Sequence, residues 1–361
     1  MRYIFIHGKN ASLSKKELQC VFGNRIAFQH PQFSLIESSE TLDQSVLNRL
    51  GGTIKIAEVF SEEPVEVLKK IPEKKILFGV SQYGGDEPLS KILTGLKKSL
   101  KKESFSARFV NKAGSNISSG QLNQMRLLEK GIDLVRVWHG QWVWGKTIAF
   151  QDIDRYSKRD FGKPSRDMKA GMMPPKLAQM MINFAEPLAS TIIYDPFCGL
   201  GTILLEAVLR GNPVWGSDIK ERMVRDSKNN LEWLIKTFSL ESDTLRLIHL
   251  FRQDATTPLS EDLPKDLVIV TEGYLGPPLL RFPERDQQQE IFGSLHKINA
   301  RFFEQVAKKI SSGKKLVMCF PYFRSGKEKI FYPELFFHEY AKHGFQIEND
   351  LRSLPYEREY Q

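Results

Sequence analysis

Tyr194-Asp195-Pro196-Phe197-Cys198-Gly199-Leu200-Gly201-Thr202 is the stretch on which the fold of this chain turns. It separates an apolar, strand-like run, Thr191–Pro196, from a helix-like run, Thr202–Arg210. Gly199 and Gly201 let the backbone turn sharply and approach a ligand where a Cβ would clash. The helix that follows opens with free N–H groups aimed at the same place. Outward from this loop, the strand-like runs Pro213–Asp218, Arg246–Leu250, Leu267–Thr271 and Lys315–Pro321 alternate with helical runs at Pro174–Ala185, Glu221–Phe238 and Gln287–Ser311. Near-continuous apolar strands joined by helices predict an α/β, doubly wound, Rossmann-like parallel sheet. Such sheets take ligands at the carboxyl ends of their strands.

Three ligands compete for the glycine loop. A P-loop requires GxxxxGK[ST], and no Lys follows here. A dinucleotide fingerprint wants a third Gly at the position held by Leu204. The third reading is S-adenosylmethionine. Asp195 would meet its ammonium, Asp218 at the end of the second strand its ribose diol, and Asp254 after the third strand its adenine amine. Each Asp alone is more often an N-cap or turn residue. Three of them after three successive strands, beside the glycine loop, read as one set.

The other half of the chain differs in pattern and charge. Residues 1–160 hold 25 Lys+Arg against 17 Asp+Glu, and residues 161–361 hold 27 against 26. A basic half suggests a polyanion, because each neutralised phosphate releases counterions. Tyr3–Ile6, Ile26–Phe28, Phe33–Ile36 and Thr53–Phe60 read as strands around helices Leu13–Phe22 and Thr41–Leu50, an α+β, ferredoxin-like domain over 1–60. A second unit, 61–155, has a strand at Ile76–Val80, a helix at Leu89–Leu100, a strand at Ser106–Val110, a helix at Gln121–Lys130 and a hairpin at Leu134–Phe150. Trp138, Trp142 and Trp144 share one face of that hairpin, suited to burial or to stacking on bases. Residues 156–172 read as a polar, basic linker, and 173–361 as the catalytic domain. Lys97, Lys98, Lys101, Lys102, Arg108 and Lys112 form the candidate nucleic-acid surface, with Arg159, Lys163 and Arg166 as linker contacts.

The 361 residues, 41% hydrophobic and 26% charged, exceed one ordinary core. No apolar run of about 18 residues exists, so a membrane span is not expected. Cys20, Cys198 and Cys319 form no CxxC pair, and the seven histidines show no HExxH or HxxxH spacing. No metal is expected, and a reducing cytoplasm is the expected compartment.

The run Asp195 to Ala207, with Trp215-Gly216-Ser217-Asp218-Ile219, resembles the methyltransferase domain of the THUMP-containing RNA methyltransferases, most of all the tRNA guanine-10 N2-methyltransferase family. Gly171-Met172-Met173-Pro174-Pro175-Lys176-Leu177-Ala178 resembles that family's helix over the methionine end of the cofactor. Phe105–Val110 and Ser118–Gly131 resemble part of a THUMP module, an RNA-binding unit. The resemblance implies a class I methyltransferase fold, S-adenosylmethionine as cofactor, and contacts from Pro175, Asp195, Phe197, Gly199, Gly201, Thr202, Asp218, Ile219, Asp254 and Ala255. It also implies transfer to guanine N2 of tRNA.

The chain departs from that family in the catalytic loop. Where the family has Asp or Asn before Pro-Pro-Tyr, this chain has Thr271-Glu272-Gly273-Tyr274. Thr271 or Glu272 would supply an oxygen to the target amine and Tyr274 a ring against the base, with Gly273 in place of a stiffening proline. Cytosine-5 methylation needs a nucleophilic Cys near this loop, and radical methylation needs a three-Cys cluster. Neither is present. A DNA adenine N6 methyltransferase and a non-catalytic RNA-binding relative remain as alternatives.

Overall fold

Residues buried on both faces of a sheet form continuous apolar strands, and β1 (Arg2–His7) is such a strand. The computed structural model describes residues 1–73, 75–112, 114–167, 172–279, 281–325 and 328–348. Gly171 and part of the expected linker lie outside the described residues. Tyr3 and Phe5 enter one core with Leu18 and Phe22 of α1 (Ala11–Phe22), while Ile4 and Ile6 enter another with Leu35 and Val137.

The chain divides into two units, residues 1–157 and 158–361. In the first, β1 pairs with β3 (Phe33–Glu37), which also pairs with β2 (Ile26–Gln29). Helix α2 (Gln44–Asn48) is shorter than the expected Thr41–Leu50, because Asp43 caps it by accepting the Ser45 N–H at 2.8 Å. Leu42 and Leu47, on either side of that cap, are both buried in the core with α1.

After β4 (Thr53–Val59) come α3 (Pro64–Lys69), β5 (Lys75–Tyr83), α4 (Leu89–Lys102) and β6 (Ser106–Phe109). The expected helix Gln121–Lys130 is two, α5 (Ser119–Met125) and α6 (Leu127–Lys130), broken where Arg126 takes a left-handed conformation, φ 46°. β7 (Ile132–Trp138) and β8 (Trp142–Phe150) form the expected hairpin.

The strand order β2-β3-β1-β4-β8-β7-β5-β6 runs as a single sheet through 1–60 and 61–155. β8 comes from the second segment and pairs with β4 of the first. The boundary expected near residue 60 therefore falls inside one hydrogen-bonded ladder. The division between the units lies within α7 (Ile153–Phe161), a helix where a linker was expected.

The second unit holds α8 (Pro175–Phe184), β9 (Ile192–Asp195), α9 (Thr202–Arg210), β10 (Val214–Asp218), α10 (Glu221–Thr237), β11 (Ile248–Arg252), β12 (Leu267–Thr271), α11 (Arg285–Lys309) and β13 (Leu316–Met318). The five strands are parallel in the order β11-β10-β9-β12-β13. This is the doubly wound sheet expected from the alternation of apolar strands and helices. Its connections reverse direction between β9 and β12, which makes that pair the topological switch point. One face carries Tyr194, Leu267, Ile269, Phe292 and Phe302. A hairpin, β14 (Tyr322–Ser325) with β15 (Glu328–Phe331), and α12 (Glu334–Ala341) complete the unit; neither was expected. Among the described residues no helix is long and apolar enough to cross a membrane.

Candidate functional site

At the switch point Asp195 and Thr271, 76 positions apart in the chain, meet across the ends of β9 and β12. Asp195 is 2% exposed. Its Oδ1 accepts the Phe197 backbone N–H at 3.1 Å and the Thr271 hydroxyl at 2.7 Å. Both donors converge on one oxygen, and among the described residues no hydrogen bond reaches Oδ2 and no basic side chain pairs with it. Burial pushes this carboxyl up to about 7 against the two hydrogen bonds that favour its ion, and Glu272 and Asp218 add like charge. A buried carboxylate with one oxygen uncommitted and no resident cation is suited to a cationic ligand group.

The glycine loop follows directly on Asp195. Gly199 and Gly201 have φ of 50° and 81°. A Cβ on Gly201 would stand 2.3 Å from Ser227 Oγ, whereas one on Gly199 would meet nothing nearer than the Phe197 carbonyl oxygen at 4.0 Å. The first glycine thus faces open space and the second packs against α10. The Gly199 N–H donates to Asp218 Oδ2 at 3.1 Å, and the Lys220 N–H donates to Oδ1 at 2.9 Å. Asp218 ties the loop to the end of β10, and each oxygen keeps a lone pair for a donor such as a sugar hydroxyl.

The Gln253 N–H donates to the Asp218 carbonyl at 3.1 Å, which sets Asp254 beside the end of β10. Asp254 Oδ1 accepts the N–H and the hydroxyl of Thr256, at 2.9 and 2.8 Å, so it also shapes its own turn. Of the other expected contacts, Ile219 is exposed and Phe197 packs edge-on against Phe302. Pro175 and Thr202 are buried, and the Ala255 side chain is in the core, which leaves Ala255 only its backbone to offer.

The acceptor loop differs from its expectation. Thr271, expected at the target amine, is fully buried, because its place at the end of β12 turns its hydroxyl onto Asp195. Glu272 and Gly273 are half-buried, and Tyr274 is exposed.

The expected RNA contacts divide. Lys97, Lys98, Lys101, Lys102, Arg108, Lys112 and Arg166 are exposed. Arg159 and Lys163 are buried, which removes them as RNA contacts. Arg159 Nε donates to Glu206 Oε1 at 2.7 Å, and Lys163 Nζ donates to the Thr202 hydroxyl at 3.1 Å. Burial lowers the pKa of Lys163, opposed by Asp160 and Glu206. The Ser165 N–H donates to Asn230 Oδ1 at 2.9 Å, and Asn230 Nδ2 donates to the carbonyls of Ser165 and Leu200. The segment is stitched to the glycine loop and to α9 through one ion pair, an amine–hydroxyl bond and amides, which carry no hydrophobic period. The available signal was Glu206, an acidic residue four positions after Thr202 in an otherwise apolar helix, where a buried carboxylate demands a cation. On the hairpin, Trp138 and Trp142 stack edge-on, and the Arg136 guanidinium lies 3.7 Å from the Trp142 ring centre.

Residues 164–250 match the RMKL-like methyltransferase domain. The match covers the glycine loop, Asp195 and Asp218. Together with the sheet order, it gives the second unit the class I methyltransferase fold. The chain is 46% identical over 78 residues to the tRNA (guanine(10)-N2)-dimethyltransferase of Methanothermobacter thermautotrophicus, covering 22% of this chain and 21% of that protein. The enzyme of the same name from Methanocaldococcus jannaschii is 33% identical over 141 residues, 39% of each chain. The chain therefore spans less than two fifths of the length of these curated relatives. Among solved structures, TrmN from Thermus thermophilus aligns over 92% of this chain and 98% of its own, at 15% identity and a TM-score of 0.48. Among the described residues no cluster of His, Cys, Asp and Glu could hold a metal ion.

Proposed function

We propose that this protein is an S-adenosylmethionine-dependent methyltransferase acting on an exocyclic base amine of RNA, guanine N2 of tRNA. The observation that carries the reading is Asp195, buried at the switch point beside the glycine loop, with one oxygen uncommitted and no cation of its own among the described residues. The names of the relatives support the tRNA guanine substrate. The basic first unit, with exposed Lys97, Lys101 and Arg108, supports a folded polyanion. Cys20, Cys198 and Cys319 form no disulfide, which fits a reducing cytoplasm.

The cofactor supplies an electrophilic methyl on a sulfonium. Asp195 Oδ2 would accept from its ammonium, Asp218 from its ribose diol and Asp254 from its adenine amine. Gly199 keeps the space for its aminoacyl end clear. With Thr271 committed to Asp195, the Glu272 carboxylate or a backbone carbonyl of 272–273 accepts from the target amine and turns its lone pair toward the methyl. Tyr274 holds the base by stacking. Alignment does the catalytic work, and the surplus proton leaves to water.

The test is incorporation of labelled methyl into bulk tRNA, followed by mass spectrometry of its nucleosides. N2-methylated guanosine with the native protein, and none with Asp195→Ala, is the expected result. Equal incorporation by both proteins overturns the reading. The burial of Thr271 favours one second reading, a cofactor-binding protein without turnover. Heat with S-adenosylhomocysteine but no methylation of any RNA selects it.

A further inference from the structure

We infer that Thr271 is a positioning residue whose hydroxyl couples the cofactor pocket to the acceptor loop, so that cofactor and RNA each tighten the binding of the other. This deepens the proposed function and rests on it. A hydroxyl has one proton to give. Thr271 gives it to Asp195 Oδ1 at 2.7 Å and accepts the Gly273 N–H at 3.1 Å. The proton can point only one way without breaking a bond in a fully buried place. The backbone of the acceptor loop and the carboxylate at the cofactor's ammonium site are therefore two ends of one relay, Gly273 N–H to Thr271 hydroxyl to Asp195.

The relay also answers what holds this loop. Gly273 has φ 73° and stands against Met318, where a Cβ would lie 2.4 Å from Met318 Cε. The Thr271 hydroxyl anchors its N–H in that conformation. An ammonium at Oδ2 makes the carboxylate fully ionic, and hydrogen bonds to an ion are shorter and about twice as strong. The Thr271 bond to Oδ1 then tightens, and polarisation along the chain strengthens the hold on Gly273 N–H. The loop that meets the target base is better held when the donor site is filled. Coupling of this kind is reciprocal.

Calorimetry on the full chain tests this, titrating S-adenosylhomocysteine and bulk tRNA separately and then each in the presence of the other. Native protein and Thr271→Ser, which keeps the hydroxyl, are expected to bind tRNA roughly 5-fold or more tighter when the cofactor product is present. Thr271→Val, of matching shape, is expected to bind the product within about 10-fold of native and to show no coupling. Thr271→Ala, a second hydroxyl-free variant, is expected to behave like Val and serves if Val does not fold. In turnover, Thr271→Val is expected to raise the KM for tRNA more at saturating cofactor than at low cofactor, a split that a merely structural role would not produce. Retained coupling in the hydroxyl-free variant, or equal loss in Thr271→Ser, overturns the inference. Native protein that binds both ligands without coupling overturns it alone, whereas native protein that gives no heat with the product overturns the proposed function as well.

Discussion

Each unit buries a carboxylate in its sheet, and the two are held in opposite ways. Asp133 of β7 is fully buried and pairs with Lys55 of β4 at 2.5 Å, with the Thr147 hydroxyl donating to the same oxygen at 2.6 Å. Lys55 also donates to Ser81 and to the Ile117 carbonyl. The charge of Asp133 is matched inside the fold. Among the described residues Asp195 has only a hydroxyl and an N–H for company, and burial raises its pKa. A paired buried carboxylate completes a structure; an unpaired one at the end of a strand is completed by what binds there.

The largest expected effect is on stability. Asp133→Ala leaves Lys55 charged and unpaired inside the sheet and should cost about 3–5 kcal/mol. Urea denaturation monitored by circular dichroism would measure it, and a loss under about 1 kcal/mol breaks the contrast. Asp195→Ala strands no cation but takes the acceptor from the buried Thr271 hydroxyl and from the Phe197 N–H, and should cost less, about 1–3 kcal/mol. Its binding loss should appear in calorimetry, as at least about a 100-fold weaker affinity for S-adenosylhomocysteine, the worth of a hydrogen-bonded ion pair with an ammonium.

The pH response sharpens the same contrast. The native Asp195 carboxyl, at about 7, binds its proton more tightly than the unfolded chain's at 3.8. Between those values the native state holds more protons, so this residue's contribution to stability falls as pH rises. A bound ammonium favours the ion, so cofactor affinity should rise as pH rises through about 7. Titrations at pH 6 and 8 should show the rise in native protein and lose it in Asp195→Asn. The smallest effect is at the surface. Charge reversal at Lys97 and Lys101 should leave stability and cofactor binding unchanged. It should reduce the salt slope of tRNA binding by about 1 for each phosphate that is no longer neutralised.

Helix α9 begins and ends where its glycines and periodicity say, and β12 does the same, because apolar period and backbone freedom are local properties. The helix that replaces the linker was not legible. Arg159 in it, and Lys163 and Ser165 just after it, are held by Glu206, Thr202 and Asn230, partners that lie 30 or more positions along the chain. The continuity of the first unit's sheet was equally hidden, since β8 pairs with β4 about 90 residues away and nothing local announces a shared ladder.

The alternation of strand and helix, the glycine loop and the acidic residues at the strand ends can be read along the chain, because each depends on neighbours within a few turns of it. That the Thr271 hydroxyl donates to Asp195, and that Arg159 and Lys163 are interior rather than surface, emerges only when the chain is folded. Those assignments depend on which groups are deprived of water together, and desolvation is a property of the assembled fold.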